Sequence, residues 1–204
     1  MSDRARGIGL SGRIAPLLNL AAFALAIAIP AGLAAQQFPG FGGLEVRGAL
    51  YSPEDAKIGA GLTGEADLGW WGFPYLRLVA ALYQFSADVK EDPFLGGGQY
   101  RAIGTRFGGR LTSPAIGPVR AHFVGSLTLT NVESEVEDRE RDDKLQGLHA
   151  GAELGLGFSY ALDLEDRFAA VLEARRTASS GIGRFGIEAG IRYTWRGRDA
   201  YVRD

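Results

Sequence analysis

The chain contains no cysteine, so disulfides, thiolate metal sites, cysteine nucleophiles and a lipid-modified N-terminal cysteine are all excluded. Lysine is scarce as well. Lys57, Lys90 and Lys144 are the only lysines among 22 basic side chains, and the rest are arginines, whose planar fork suits carboxylates in confined, poorly hydrated places. The formal net charge is −2, with no basic block and no nucleic-acid motif, so no DNA or RNA partner is expected. Past Gln36 there is no run of about 20 apolar residues, which excludes a membrane-crossing helix from that part of the chain. Glycine is abundant instead: 30 of 204 residues, about twice average usage, with no collagen-like period. The 46% apolar and 23% charged content excludes wholesale disorder.

The first 35 residues have the order of an export signal. Arg4, Arg6 and Arg13 precede an apolar run from Ile14 to Ile29, Pro30 ends the helical stretch, and Ala31 to Ala35 supply small residues. Gly32 and Ala34 fit a small-x-small rule, which places cleavage after Ala34 or Ala35. The other reading is a retained anchor, against which stands the length of the run, 16 residues where roughly 20 are needed to span a bilayer. Residues 36–204 then form the exported unit, a barrel with a short N-terminal lead and a C-terminal tail.

Along that unit apolar and polar residues alternate with period two, the signal of half-buried strands, in eight segments. Val46 and Leu50 oppose Glu45 and Arg47. Ala60, Leu62, Ala66, Leu68 and Trp70 oppose Thr63, Glu65 and Asp67, and Leu76, Leu78, Ala80 and Leu82 oppose Arg77. Ile103, Phe107 and Leu111 face away from Arg106 and Arg110. Ala121, Phe123, Leu127 and Leu129 face away from Arg120, His122, Ser126 and Thr128, and Leu148 to Tyr160 alternate with His149, Glu153 and Ser159. The last two segments set Ala170, Leu172 and Ala174 against Glu173 and Arg175, and Phe185 to Trp195 against Glu188, Arg192 and Thr194.

Two features place the polar face inside and the apolar face outside. Glycines are interleaved with the charges, as a narrow lumen filled by long side chains requires. The charges also nearly cancel: Arg47, Arg77, Arg106, Arg110, Arg120, Arg175 and Arg192 against Glu45, Glu65, Asp67, Glu153, Glu173 and Glu188. An unpaired ion in a confined interior costs several kcal/mol. Strands that face lipid must also satisfy their backbone groups, which only a closed barrel achieves. The expected fold is therefore all-β, an eight-stranded antiparallel up-and-down transmembrane β-barrel. Short connections (Trp71 to Pro74, Ser113 to Pro118, Asp163 to Arg167) alternate with longer ones (Ser52 to Ala56, Asp88 to Gly98, Asn131 to Lys144, Thr177 to Gly183), and the longer set is expected outside the cell. This threading puts Trp70, Tyr160, Tyr193 and Trp195 together as an aromatic girdle at the periplasmic rim.

With Glu188, Gly190, Tyr193 and Trp195 in its last strand, the chain resembles the small outer-membrane β-barrel family typified by the OmpA transmembrane domain, OmpX and Ail. The resemblance covers residues 43 to 195. It implies residence in the bacterial outer membrane, contact with its lipid and lipopolysaccharide, and recognition of the last strand by the barrel-assembly machinery. This chain departs from the family in continuing past the final aromatic, through Arg196 to Asp204.

Catalysis is not expected. The outer-membrane deacylases resembled by barrels of this size want a histidine two residues before a serine, whereas His122 precedes Phe123 and Val124, and His149 precedes Ala150 and Gly151. Ser126 lies four residues from His122, too far along one strand for contact. Two histidines without clustered ligands make no metal site, and no cofactor is implied. The acidic stretch from Glu133 to Asp143 reads as a solvated loop, or as a projecting hairpin with a surface ligand reached through residues 131–144. Arg101 and Arg176 face outward near the upper rim, within reach of lipopolysaccharide phosphates. Three functional classes follow: a charge-plugged structural or surface-interaction barrel, a narrow pore, and a soluble lipocalin-type barrel with its apolar face turned inward.

Overall fold

A computed structural model describes residues 42–54, 56–71, 73–89, 98–136, 146–179 and 183–195. The expected export signal, residues 1–35, the C-terminal tail and most of the acidic stretch lie outside the described residues. Eight strands, β1 (Gly43–Pro53), β2 (Gly59–Trp71), β3 (Phe73–Asp88), β4 (Gly98–Thr112), β5 (Val119–Val136), β6 (Gly147–Ala161), β7 (Phe168–Ser179) and β8 (Arg184–Thr194), form one closed antiparallel barrel. Each strand pairs with its neighbours in sequence, and β8 returns to β1 from Gly43↔Thr194 to Pro53↔Arg184.

The barrel's width follows from the register. Starting at Gly43, successive partners are Asp67, Val79, Gly108, Ser126, Glu153, Thr177 and Arg184, and the path rejoins β1 at Pro53, ten residues along. A stagger of this size in eight strands means a tilt of about 40° and an interior just wide enough for side chains to fill.

The polar face lines that interior. Arg47, Glu188, Glu173 and Arg175 are buried, while Leu127, Leu156 and Leu148 on the outer face are each about two-thirds exposed. This orientation is the reverse of a lipocalin, so the reading in which the apolar face turns inward does not hold. One rim carries the β2–β3, β4–β5 and β6–β7 turns together with the start of β1 and the end of β8. The other carries the β1–β2, β3–β4, β5–β6 and β7–β8 connections.

Several boundaries differ from the sequence expectation, among them Trp71, which ends β2, and Phe73 and Pro74, which open β3. β5 runs on to Val136, so Asn131 to Val136 are strand rather than loop, paired with Ile103 to Gly98. The alternation persists there, with Val132 and Ser134 buried and Asn131 and Glu133 exposed, but both faces carry polar residues and the pattern is faint. Likewise Thr177 to Ser179 belong to β7, and Ser52 and Pro53 to β1.

The β4–β5 turn is set by local chemistry. Ile116 and Val119 exchange both backbone hydrogen bonds, at 2.9 and 3.2 Å, around Gly117 and Pro118. Gly117 has φ of 60°, and Pro118 supplies the fixed negative φ that follows in a two-residue hairpin turn. Gly117→Val is expected to cost about 1–2 kcal/mol through the left-handed backbone alone, since open space surrounds the position. A shift in urea midpoint checks this, and an unchanged midpoint would refute it.

Candidate functional site: the barrel lumen

The tilt of the strands carries charges from distant parts of the sequence to one level. At the centre Arg47 reaches Glu65 at 2.5 Å, Glu45 and Glu173 at 3.1 Å and Glu188 at 3.3 Å, so one guanidinium touches carboxylates on four strands. Arg175 donates to Glu153 at 2.7 Å and to Glu65 at 3.1 Å, and it pairs with Glu173. Arg106 donates to Glu188 at 2.7 Å and lies 3.1 Å from Glu153. Arg110 pairs with Glu65 and sits 3.2 Å from Glu45, which also accepts from Arg192 at 2.8 Å. Hydroxyls complete the set: Tyr51 donates to Glu188 at 2.5 Å and Thr177 to Glu153 at 2.6 Å. All ten of these charged side chains are buried.

The other three charges named from sequence stand apart. Asp67 and Arg77 pair with each other beside the β2–β3 turn. Arg120 meets Asp166 of the β6–β7 turn at 3.0 Å. These are rim pairs at the turn end rather than members of the central network.

Several lumen residues were missed by the alternation. Arg184 is buried and faces inward, although its segment reads as a loop end. Its nearest carboxylate, Glu153 at 3.7 Å, already holds Arg175, Arg106 and Thr177. The central set thus holds six guanidiniums (Arg47, Arg106, Arg110, Arg175, Arg184, Arg192) against five carboxylates (Glu45, Glu65, Glu153, Glu173, Glu188). The sixth is offset by aromatic faces: Arg184 lies 4.5 Å from the centre of the Tyr83 ring, 4.9 Å from Phe85 and 5.3 Å from Tyr51.

Those rings form a second tier toward the loop end. Tyr51 packs on Phe85 at 4.9 Å and Phe85 on Tyr100 at 5.7 Å, within a buried apolar cluster that also takes in Ala56, Val89 and Val132. Tyr83 bonds Thr130 through its hydroxyl and carries Arg106 over its ring at 4.4 Å. β3 supplies much of this tier through Tyr83, Phe85 and Ala87. Up to Leu82 its outer face is apolar like its inner one, and beyond that the outward residues are Gln84 and Ser86, so its inner face carried no inward-polar signal past Arg77.

Glycine makes the packing possible by yielding volume on the strand next door. A Cβ on Gly157 would stand 2.9 Å from the His122 ring nitrogen that bonds Glu173 at 2.8 Å. One on Gly155 would lie 2.9 Å from the Glu173 carboxylate, and one on Gly104 would strike the Tyr83 ring. The Tyr51 ring crosses Gly61 on one side and Gly186 on the other.

At the turn rim the expected girdle residues are partly brought together. Tyr193 lies 5.3 Å from Trp195, and Phe168, not anticipated, lies 5.0 Å from Tyr193. Tyr160 is exposed on the same rim. The Trp70 side chain lies outside the described residues. At the opposite end, Arg176 is exposed and bonds Glu54 at 2.7 Å on the outer surface.

No protein-family model matches this chain, and no curated protein matches it. Solved structures do. Neisserial surface protein A is 11% identical with a TM-score of 0.58, the match covering 76% of this chain and 97% of that one. The outer membrane protein OprG from Pseudomonas aeruginosa is 10% identical with a TM-score of 0.51, covering 77% and 96%. The attachment invasion locus protein Ail of Yersinia pestis is 10% identical, covering 76% and 99%, with a TM-score of 0.49. At such identities the first two establish a likeness of fold: the chain is built as the small eight-stranded outer-membrane barrels are.

Because Arg47 holds four carboxylates, Arg47→Ala is expected to leave buried, uncompensated negative charge and to cost about 3–5 kcal/mol. Arg176→Ala, which breaks the exposed pair with Glu54, is expected to cost less than about 1 kcal/mol. Urea unfolding followed by heat-modifiable gel mobility compares the two, and equal losses would count against a central network.

Proposed function

We propose that this chain is a small, non-enzymatic outer-membrane barrel protein with a plugged lumen, acting structurally or by surface interaction through its loops. On this reading residues 1–35 direct export and are removed near Ala34 or Ala35. The apolar outer face meets outer-membrane lipid, and the last strand engages the assembly machinery. The turn rim with Tyr160, Tyr193 and Trp195 faces the periplasm. The loop rim faces outward, with the segment 131–144 and the lipopolysaccharide-level arginines Arg101 and Arg176 available to partners.

The observation that carries the reading is the filled interior. The central side chains, from Arg47 at 0% exposure to Arg192 at 4%, are closed off from water, with an aromatic layer above them. A conducting pore needs a continuous thread of water past these groups. A binding barrel needs a cavity, and this lumen is occupied by the protein's own side chains.

Conductance of the protein purified from outer membranes and reconstituted in a planar lipid bilayer tests this. Silence from demonstrably inserted protein is the expected result, and discrete, reproducible steps would replace the plugged reading with a narrow pore. The lipid contact is checked separately. Leu156→Arg, on the outer face, is expected to cost about 2–4 kcal/mol of folding free energy in lipid vesicles. A loss well under 1 kcal/mol would mean that this face does not meet hydrocarbon.

A further inference from the structure

β1 and β8 are the first and last strands, and the seam between them differs on its two faces. Outward, the opposed residues are Leu44↔Tyr193, Val46↔Ile191, Gly48↔Ala189 and Leu50↔Ile187. All are apolar or small, and sliding one strand by two residues would again oppose apolar to apolar. Two is the smallest slip that keeps each side chain on its own face.

Inward, the same seam alternates in size. Glu45 opposes Arg192 as an ion pair at 2.8 Å, Arg47 opposes Gly190, Ala49 opposes Glu188, Tyr51 opposes Gly186, and Pro53 opposes Arg184. Beyond the Glu45–Arg192 ion pair, Arg47, Glu188 and Tyr51 each meet a glycine or alanine, first from one strand and then from the other. The two glycines differ: a Cβ at Gly186 would fall 2.6 Å from the Tyr51 ring, a side-chain contact, whereas one at Gly190 would first meet the backbone of β1, at Val46 O and Arg47 Cα, and then Arg47 Cγ at 2.8 Å.

A slip of two in one direction would set Arg47 against Glu188 and Tyr51 against Arg184, leaving Glu45 against Gly190 and Ala49 against Gly186. A slip the other way would set Arg47 against Arg192 and Tyr51 against Glu188, with Ala49 against Gly190. Both crowd two long side chains into one slot and leave a void at the next. A filled lumen has no room to relieve the first, and a void forfeits packing contacts. Either slip would also change the stagger of the whole barrel from ten residues to eight or twelve, and with it the radius on which the central charges meet.

We propose that the lumen face of β8 is the register key of barrel closure, with Gly186 as the notch that receives the Tyr51 ring. Register at this seam is then specified from inside, by size and charge, and not by the lipid-facing residues.

The absence of cysteine allows a direct test. Cysteines placed outward at Gly48 and Ala189 are directly opposed, and opposed strand residues lie within disulfide reach. Gly48→Cys with Ile187→Cys or with Ile191→Cys spans a diagonal of about 7–8 Å, beyond easy bridging. In membrane-inserted, otherwise unaltered protein, oxidation should link 48 to 189 at least tenfold more than either diagonal. Gly186→Leu should reduce that link at least tenfold, or move it to a diagonal pair. Because a filled notch can also block folding outright, Tyr51→Ala combined with Gly186→Leu decides the matter: removing the ring that fills the notch should restore the native link. Full native linkage in Gly186→Leu, or no recovery in the combined variant, would overturn the proposal.

Discussion

Everything inside this barrel depends on keeping ionised groups neutralised where water does not reach. The central charges form a lattice rather than a set of pairs. Glu65 is shared by Arg47, Arg110 and Arg175, and Glu188 by Arg47, Arg106 and Arg175. In such a lattice each ion's desolvation is offset by several opposite charges at once, and removing one member exposes several others. The lattice in turn requires a fixed radius, since guanidiniums from β1, β4, β7 and β8 must meet over distances set by the tilt of the strands. The glycines follow from the same requirement, because a side chain that crosses a neighbouring strand needs a position there without a Cβ.

The arginine bias of the composition has its cause here. A lysine ammonium is a compact point charge, whereas the guanidinium offers five donors in a plane and can bridge carboxylates from different strands. Arg47 bridges in this way, lying within 3.3 Å of carboxylates from four strands. Lys57, the lysine among the described residues, lies at the loop rim, where hydration is available and a bridging fork has no use. Arg184 shows the other advantage of the flat cation: with no carboxylate to itself, it lies against three aromatic faces at the loop-side edge of the lattice.

Period-two alternation told which face each residue occupies, and so the strand count, the inward charges and the outward apolar belt were legible in the sequence. It did not tell height along the barrel axis. Height is set by the stagger of ten, a property of the closed ring that no single segment carries. Asp67, Arg77 and Arg120 therefore looked equivalent to Arg47 and Arg106, yet the tilt leaves them at the turn rim. The same limit hid Arg192 and Glu45 as partners, 147 positions apart. Where the pattern inverts it misled. β3 is apolar on both sides as far as Leu82, and beyond it Tyr83 and Phe85 turn inward between Gln84 and Ser86; at the end of β5 Val132 likewise turns inward between Asn131 and Glu133, so its last six residues read as loop.

A lumen organised in two tiers also constrains where this fold can carry recognition. The charged tier is bounded by backbone and by the apolar outer surface, so any change there disturbs several ion contacts at once. The aromatic tier closes over it with Tyr51, which serves both layers: its ring packs on Phe85 and Arg184, and its hydroxyl binds Glu188. A substitution at an inward position thus propagates through lattice, cap and seam together. At the loop rim Ala56 and Val89 pack into the aromatic cap, whereas the outward-facing strand ends point away from lattice and cap. Glu54 and Arg176 pair there on the outer surface, clear of the central lattice, so variation at such outward positions spares the interior charges. The architecture separates what must stay fixed from what is free to acquire a partner, and it does so because the interior charges leave no slack.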